Sequence, residues 1–454
     1  MNRILVFGMA RSGIAAAMLM LHRGEEVWIC DKKKLEDFHG SLDKLIEAGA
    51  HAMLGEEHPE DRLEGFDLVV ISPGIPVEHP IVQRAADLGV ELIGEIEYAY
   101  RESAGELIAI TGTNGKTTTV TLTGEIYKNA GMRTHVVGNI GSPYSESVLQ
   151  MRENDVTVCE ISSFMMETSD TFHPHIAAVL NISEDHLNRH HTMERYIRLK
   201  ERIFEKCGKN DFVVLNYDDP ETRKMADHTS AHVLWFSSRT AVPRGAFVKD
   251  GNVVFGSEND FVQICACSDI YIPGEHNLRN ALSAAAIAMS DGIAPEIIAH
   301  TLRTFRGVEH RIEFVRELDG IRYINDSKGT NPDSTIQAVR AMKRPTVLIL
   351  GGYPKNNDFT PLVKEILSSE IRHIVLIGDT AMEIEGVLKK LGFASCEHCG
   401  YDFRKAVEAC RRSARPGWNV LLSPSCASFD MFDDYEQRGR VFKEIVMALE
   451  PAGA

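Results

Sequence analysis

No stretch of this chain approaches the ~18 apolar residues that a membrane-spanning helix requires, so no membrane insertion is expected. The N-terminus, Met1-Asn2-Arg3-Ile4-Leu5-Val6-Phe7-Gly8, opens directly on a strand pattern and carries no cleavable signal. Cysteine is sparse: nine residues, odd in number and scattered, which fits free thiols in a reducing cytosol. Cys396-Glu397-His398-Cys399 has no partner pair, and a structural zinc needs four ligands, so this motif points to no metal site. Positive charge is in deficit, with 49 Lys and Arg against 65 Asp and Glu, a formal net charge of −16. Proteins that coat a polyanion show a basic face, so nucleic acid is not expected as a partner. Nucleotides remain open, because a few local cations and backbone amides suffice to hold them.

Glycine is missing from two informative places. Gly8-Met9-Ala10-Arg11-Ser12-Gly13 has too few glycines for a dinucleotide fingerprint. Ile110 stands six residues before Lys116, where the common phosphate-loop pattern has glycine. The rest of that loop is present. Ile108-Ala109-Ile110-Thr111 reads as a buried strand, Gly112-Thr113-Asn114-Gly115 as a turn, and a helix begins near Lys116 and continues through Thr117 and Thr118. Amides of such a turn and of the helix start converge on one point and hold polyphosphate. Lys116 adds a positive charge, and Thr117 offers a hydroxyl to Mg2+.

At 454 residues the chain is too long for one core. Strand and helix patterns alternate along it, which predicts parallel α/β sheets. In about residues 1–94, Arg3–Phe7, Glu26–Cys30 and Phe66–Ile71 read as strands, with a helix over Ser12–His22. The start of that helix at Ser12 suits a phosphate, and Asp31 or Lys32, closing the second strand, lies near a ribose or base. Ser72-Pro73-Gly74-Ile75-Pro76 is a rigid loop at a strand's C-terminal end, where ligands bind in such sheets.

In about residues 95–300, Gly138-Asn139-Ile140-Gly141 forms a second glycine turn. Val156–Glu160 is a strand ending in a carboxylate, where nucleotide-hydrolysing folds place an acid for Mg2+. Ala177–Leu180 leads into Asn181-Ile182-Ser183-Glu184-Asp185-His186-Leu187-Asn188-Arg189-His190. From this cluster His186 is expected at a metal or phosphate, and His190 and His191 are read as polar loop. A charged amphipathic helix is expected over Met193–Lys206, and Lys200 on it reads, by itself, as solvated. Residues about 213–272 look β-rich. Asn277 and Asn280 share one face near the start of the next helix.

In about residues 301–454, strands end in Asp326-Ser327-Lys328-Gly329-Thr330-Asn331, in Gly351-Gly352-Tyr353-Pro354-Lys355-Asn356-Asn357-Asp358, and in Ser423-Pro424-Ser425-Cys426-Ala427-Ser428-Phe429-Asp430. This part is expected to be a further parallel sheet. Three sheets with ligand-type loops imply an enzyme that joins two substrates over a nucleotide.

Taken in order, Thr111 to Thr118, Glu160-Ile161-Ser162-Ser163-Phe164, Asn181 to His190, Gly274-Glu275-His276-Asn277 with Asn280, His310-Arg311-Ile312-Glu313 and Asp326 to Asn331 resemble the ATP-dependent Mur ligases over the whole chain. The family carries the same loop variant at Ile110. The resemblance implies three domains: a Rossmann-like N-terminal domain (1–94) for a UDP-substrate, a central P-loop ATPase-like α/β domain (95–300), and a C-terminal Rossmann-like α/β domain (301–454) for an amino acid. Ser72 to Pro76, the Thr-Asn-Gly-Lys loop and the tail from Leu422 to Phe442 are similar to the branch that adds D-glutamate to UDP-N-acetylmuramoyl-L-alanine.

That implies a cytoplasmic, monomeric ligase of peptidoglycan precursor synthesis, using ATP and two Mg2+ ions. By the same resemblance, Lys116, His186, Lys200 and Asn139 are catalytic. Gly112, Thr113, Asn114, Gly115, Lys116, Thr117, Thr118, Asn277, Asn280, Arg311, Asp326 and Lys328 bind ATP. Thr117, Glu160, His186 and Lys200 hold metal, with Lys200 carbamylated so that it presents a carboxylate. Ser12, Asp31, Lys32, Ser72 and Gly74 take the UDP-substrate, and Lys328, Thr330, Lys355, Ser423 and Phe429 contact D-glutamate. Two positions depart from the family: Asn188 replaces its usual Asp, and no glycine follows Lys355. A folylpolyglutamate-synthase relative would share the phosphate loop without a domain like 1–94. A nucleotide-binding regulator with a dead site would have no need of Lys116, Glu160, His186 and Lys328 together.

Overall fold

The computed structural model describes residues 2–38, 40–139, 142–354 and 357–451. Three sheets form. The first contains β1 (Arg3–Phe7), β2 (Glu26–Asp31), β3 (His51–Leu54), β4 (Leu68–Ile71) and β5 (Glu91–Gly94). They are parallel in the order β3-β2-β1-β4-β5. Strand order reverses between β1 and β4, which opens a crevice beyond their C-terminal ends. The Gly8 turn follows β1 and the Ser72 loop follows β4, so both expected ligand loops fall at that crevice.

The second sheet contains β6 (Glu106–Thr111), β7 (Thr134–Gly138), β8 (Val156–Glu160), β9 (Ile176–Val179), β10 (Phe212–Asn216), β11 (His232–Ser237), β12 (Gly245–Lys249), β13 (Asn252–Gly256) and β14 (Phe261–Ala266). Its order is β14-β13-β12-β11-β10-β9-β6-β8-β7. Strand β6 lies between β8 and β9, parallel to both, so the phosphate loop leaves the sheet with the ends of β8 and β9 on either side. Every residue of β8 and β9 is buried. Strands covered on both faces give continuous apolar runs rather than alternation, which is how they stand out in the sequence. The helix expected over Met193–Lys206 is shorter. It spans Met193–Glu201 and tightens into a 3-10 turn at Arg202–Phe204.

The third sheet contains β15 (Glu313–Leu318), β16 (Ile321–Asn325), β17 (Thr346–Gly351), β18 (Ile371–Ile377), β19 (Cys396–Gly400) and β20 (Asn419–Leu422), in the order β15-β16-β20-β17-β18-β19. It is mixed rather than purely parallel, because β15 runs antiparallel to β16. The reason is local. Asp319 and Gly320 join the two strands with φ of +54° and +74°, and two successive positive-φ residues make a tight hairpin.

The chain forms two compact units, residues 1–305 and 306–454. Within the first unit the two sheets share one apolar cluster, in which Met20 and Ile96 belong to the same core as Tyr144 and Met166.

Candidate functional site

The loop after β6 is held from several sides. Asn181, just past β9, accepts from the Asn114 amide through Oδ1 at 2.8 Å and donates through Nδ2 to the Asn114 carbonyl at 2.9 Å. The Thr113 hydroxyl lies 3.0 Å from the Tyr196 hydroxyl. Gly115 begins the helix Lys116–Asn129 with φ +85°, and a Cβ there would sit 2.4 Å from Asn280 Oδ1. Only glycine fits that position, and Asn280 is thereby placed against the loop. Asn277 accepts from Asn280 Nδ2 at 3.3 Å. Lys116 Nζ donates to the carbonyls of Gly112 and Thr113, each at 2.8 Å, while Thr118 is half-buried in the first turn of the helix.

Of the residues expected to hold metal, Thr117 meets Glu160, and Asn139 joins them. Thr117 Oγ1 donates to Glu160 Oε2 and Asn139 Nδ2 to Glu160 Oε1, both at 2.9 Å. The Thr117 hydroxyl and the Glu160 carboxylate are hard oxygen donors, the set that suits Mg2+, and the Asn139 amide holds the carboxylate in place. ATP fits the same place, with a glycine cradle, a lysine and a helix start converging on it.

Lys200 is not the solvated residue that its helix suggested. It is buried, 2% exposed, and Nζ donates to the Gly112 carbonyl at 2.9 Å. Burial, followed by the charge of Lys116, pushes its amine well below the usual lysine range. An amine nitrogen, whichever protons it carries, is not the hard oxygen ligand that Mg2+ prefers. His186 opens the short helix Leu187–His190 in the left-handed region, φ +53°. Its ring packs 4.8 Å from Phe164, and Nε2 lies 3.4 Å from Asp185. Among the described residues no three His, Cys, Asp or Glu side chains gather as a metal cluster.

His190 corrects the polar-loop reading. It is fully buried, with Nε2 2.9 Å from Ser163 Oγ, and burial pushes its imidazole down to about 4. His191 remains exposed. Asn181, Tyr196 and His190 were the residues that sequence reasoning undervalued. Asn181 alone carried a signal, as a polar residue directly after a buried strand.

In the first sheet, Asp31 Oδ2 accepts from the Met9 amide at 2.8 Å, and Ser72 Oγ donates to the Gly8 carbonyl at 2.5 Å. Ser12 is half-buried in the first turn of the helix Arg11–His22, and Lys32 is exposed beside Asp31. Gly74 is exposed, and its carbonyl accepts from Arg189.

In the second unit, Asp326 is buried and accepts from Ser423 Oγ at 2.6 Å and from the Ile312 amide at 3.2 Å. Burial raises its carboxyl to about 6, against the opposing pull of Arg311. Ser423 is fully buried, with its hydroxyl committed to Asp326. Lys328 and Thr330 are half-buried. Asn331 caps the following helix by accepting from the Ser334 amide at 2.8 Å. Arg438, 1% exposed, donates to the carbonyls of Ser327, Cys426 and Ala427 and so ties the two loops together. Phe429 is 63% exposed. Lys355 lies outside the described residues.

A strand–loop–helix with Lys116 and Thr117, facing the Glu160 carboxylate, defines a nucleoside-triphosphate-using α/β protein. The chain belongs to the Mur ligase family: residues 2–94 match the MurD-like N-terminal domain, 110–288 the Mur ligase middle domain, and 310–426 the Mur ligase glutamate ligase domain. It is 43% identical over 449 residues to the UDP-N-acetylmuramoylalanine–D-glutamate ligase of Thermoanaerobacter sp. (strain X514), covering 99% of this chain and 98% of that one. It is 45% identical, with the same coverage, to the enzyme of that name from Caldanaerobacter subterraneus subsp. tengcongensis. In fold it is similar to UDP-N-acetylmuramate–alanine ligase MurC from Thermotoga maritima, with a TM-score of 0.60 at 21% identity, covering 99% of this chain and 100% of that one.

Proposed function

We propose that this chain is the ATP-dependent ligase that adds D-glutamate to UDP-N-acetylmuramoyl-L-alanine in peptidoglycan precursor synthesis. The observation that carries the reading is the meeting of Thr117, Asn139 and Glu160 beside the phosphate loop, in a chain over 40% identical end to end with ligases of that name. In this reading residues 1–94 bind the UDP-substrate, 95–300 ATP and 301–454 D-glutamate.

The alanyl carboxylate attacks the γ-phosphorus of ATP, the bond to ADP breaks, and an acyl phosphate forms. The amino group of D-glutamate then attacks its carbonyl carbon. Phosphate leaves, a proton is lost, and an amide remains. Lys116 moves from the loop carbonyls to the transferring phosphoryl oxygens, where positioning and charge neutralisation lower the barrier. Thr117 and Glu160 would hold Mg2+, whose charge would offset that of the phosphates. Asn139 orients Glu160, and His186 stands at the acyl phosphate. Gly112 to Thr118, Asn277, Asn280, Arg311, Asp326 and Lys328 hold ATP. Ser12, Asp31, Lys32, Ser72 and Gly74 hold the UDP moiety. Lys328, Thr330, Lys355, Ser423 and Phe429 hold D-glutamate, whose two carboxylates call for paired cations.

The Lys200 amine, whose protonation burial disfavours, would add CO2 and release a proton to become a carbamate, and with His186 would hold a second Mg2+. A 13C signal from labelled bicarbonate, absent in Lys200→Ala, tests that step. The enzyme works as a cytoplasmic monomer, which light scattering of the purified protein checks for mass. Phosphate release from ATP is expected only with UDP-N-acetylmuramoyl-L-alanine and D-glutamate together. Equal release with L-glutamate or meso-diaminopimelate would sink the reading.

A further inference from the structure

Arg189 lies on the one-turn helix Leu187–His190, three residues after His186. Its side chain is 13% exposed, and its partners lie in two sheets' worth of loops. Nη2 donates to the Ile75 carbonyl at 2.8 Å and Nη1 to the Gly74 carbonyl at 3.3 Å. These carbonyls belong to the loop after β4, at the crevice of the first sheet. On the other side, Nε and Nη2 donate to Glu167 Oε2 at 3.1 and 2.5 Å. Glu167 is 2% exposed. The guanidinium also lies 4.5 Å over the Phe164 ring, and that ring packs 4.8 Å from His186.

One planar cation therefore spans the crevice loop, a buried carboxylate and the aromatic ring against His186. A lysine has no fork to do this. Backbone carbonyls as acceptors mean that the loop's path, rather than a side-chain rotamer, is what Arg189 sets.

We propose that Arg189 is a positioning residue that fixes the Gly74–Ile75 backbone relative to His186. It thereby sets where the UDP-substrate's carboxylate arrives at the transferring phosphoryl group. The inference rests on the ligase reading above. Reaction requires the attacking oxygen in line and near contact, and a displacement of about 1 Å costs on the order of 10²-fold.

The test measures steady-state kinetics of the full-length enzyme for each substrate separately, in wild type, Arg189→Ala, Arg189→Lys and Glu167→Gln. In Arg189→Ala, kcat/KM for UDP-N-acetylmuramoyl-L-alanine is expected to fall about 10²-fold, with KM for ATP and D-glutamate within about twofold of wild type. Arg189→Lys is expected to show the same split, since it restores charge and not the fork. Glu167→Gln keeps the shape of the site and is expected to split in the same direction, by less. Unchanged kinetics for the UDP-substrate in all three variants would overturn the inference. So would a parallel loss for all three substrates, the pattern of a general structural role. If wild-type turnover does not depend on the UDP-substrate, the ligase reading itself fails, and that result is read before any variant.

Discussion

Two strand–turn–helix segments in the first unit share a topology and differ in chemistry. The turn after β1 is closed by its own neighbours. Ser72 donates to Gly8, Asp31 accepts from Met9, and a Cβ on Gly13 would sit 2.0 Å from the Gly8 carbonyl. No lysine stands at the start of its helix; Arg11 opens it, and the Asp31 carboxylate lies against the turn. The turn after β6 is clamped by Asn181 and Asn280, opens its helix with Lys116, and faces Glu160 through Thr117. The same supersecondary unit thus has two different surroundings, an arginine beside a carboxylate at the first turn and a lysine with a hydroxyl facing a carboxylate at the second. The difference lies in which charged groups the neighbouring strands deliver.

Breaking the second turn should cost most. Lys116→Ala is expected to lower kcat on the order of 10²–10³-fold, as loss of one preorganised charge contact does, with the UDP-substrate still bound. Unimpaired turnover would remove the phosphate-loop assignment. Lys200→Ala is expected to be similarly severe, by about 10² or more, because the buried amine sits against the loop itself. Surviving activity would return Lys200 to a packing role.

The glycines separate the two turns. Gly115→Ala forces a left-handed alanine, costing about 1–2 kcal/mol, and pushes on Asn280. KM for ATP is expected to rise about tenfold, with KM for the UDP-substrate unchanged. Gly13→Ala drives a methyl into a backbone carbonyl, so an overpacking cost of about 1–3 kcal/mol is expected in thermal unfolding. Here KM for the UDP-substrate rises and KM for ATP does not. Interchanged patterns would show that the two turns do not bind separate ligands.

The smallest effect is expected at Asp326, in the second unit. Its carboxyl ordinarily titrates near 3.8 and is raised by burial to about 6 in the fold. The folded state therefore binds the proton more tightly. The stability this contributes is fully present below about pH 4 and is lost as pH rises through about 6. Between pH 5 and 7 the wild type should lose on the order of 1 kcal/mol relative to Asp326→Asn, measured as the difference of their unfolding free energies. A constant difference across that range would refute the raised value.

Much of this was legible in the sequence. Strands β1, β8 and β20 read as largely apolar runs because both faces of their sheets are covered, while β16 exposes Arg322 between buried Ile321 and Tyr323. The loops that follow Glu160 and begin at Asp326 and Ser423 read as ligand loops because polar residues stand at the ends of those strands. Less legible were β7, which ends in the glycine turn at Gly138, and β15, an edge strand in which Glu313, Arg316 and Glu317 break any alternation. Lys200 on a charged helix was unreadable as a buried group. Lysine is mostly a solvent-side residue of a charged helix, and only the packing of this helix, with Tyr196 and Leu199 buried beside it and Gly112 accepting from Nζ, removes that one amine from water. His190 and Arg189 were hidden for the same reason, among polar neighbours whose roles differ only by which way they face.

The order of strand, glycine turn, lysine and acid along the chain was determined locally, because backbone geometry and phosphate chemistry need those residue types at short, fixed spacings. Sequence alone therefore carried the nucleotide chemistry and the family. Tertiary structure decided which distant groups meet it: Glu160 and Asn139 at Thr117, Asn181 and Asn280 at the loop, Lys200 beneath it, and Arg189 across to Gly74 and Ile75. Such contacts join residues tens of positions apart, and they exist only once parallel strands bring their C-terminal ends together and exclude water between them.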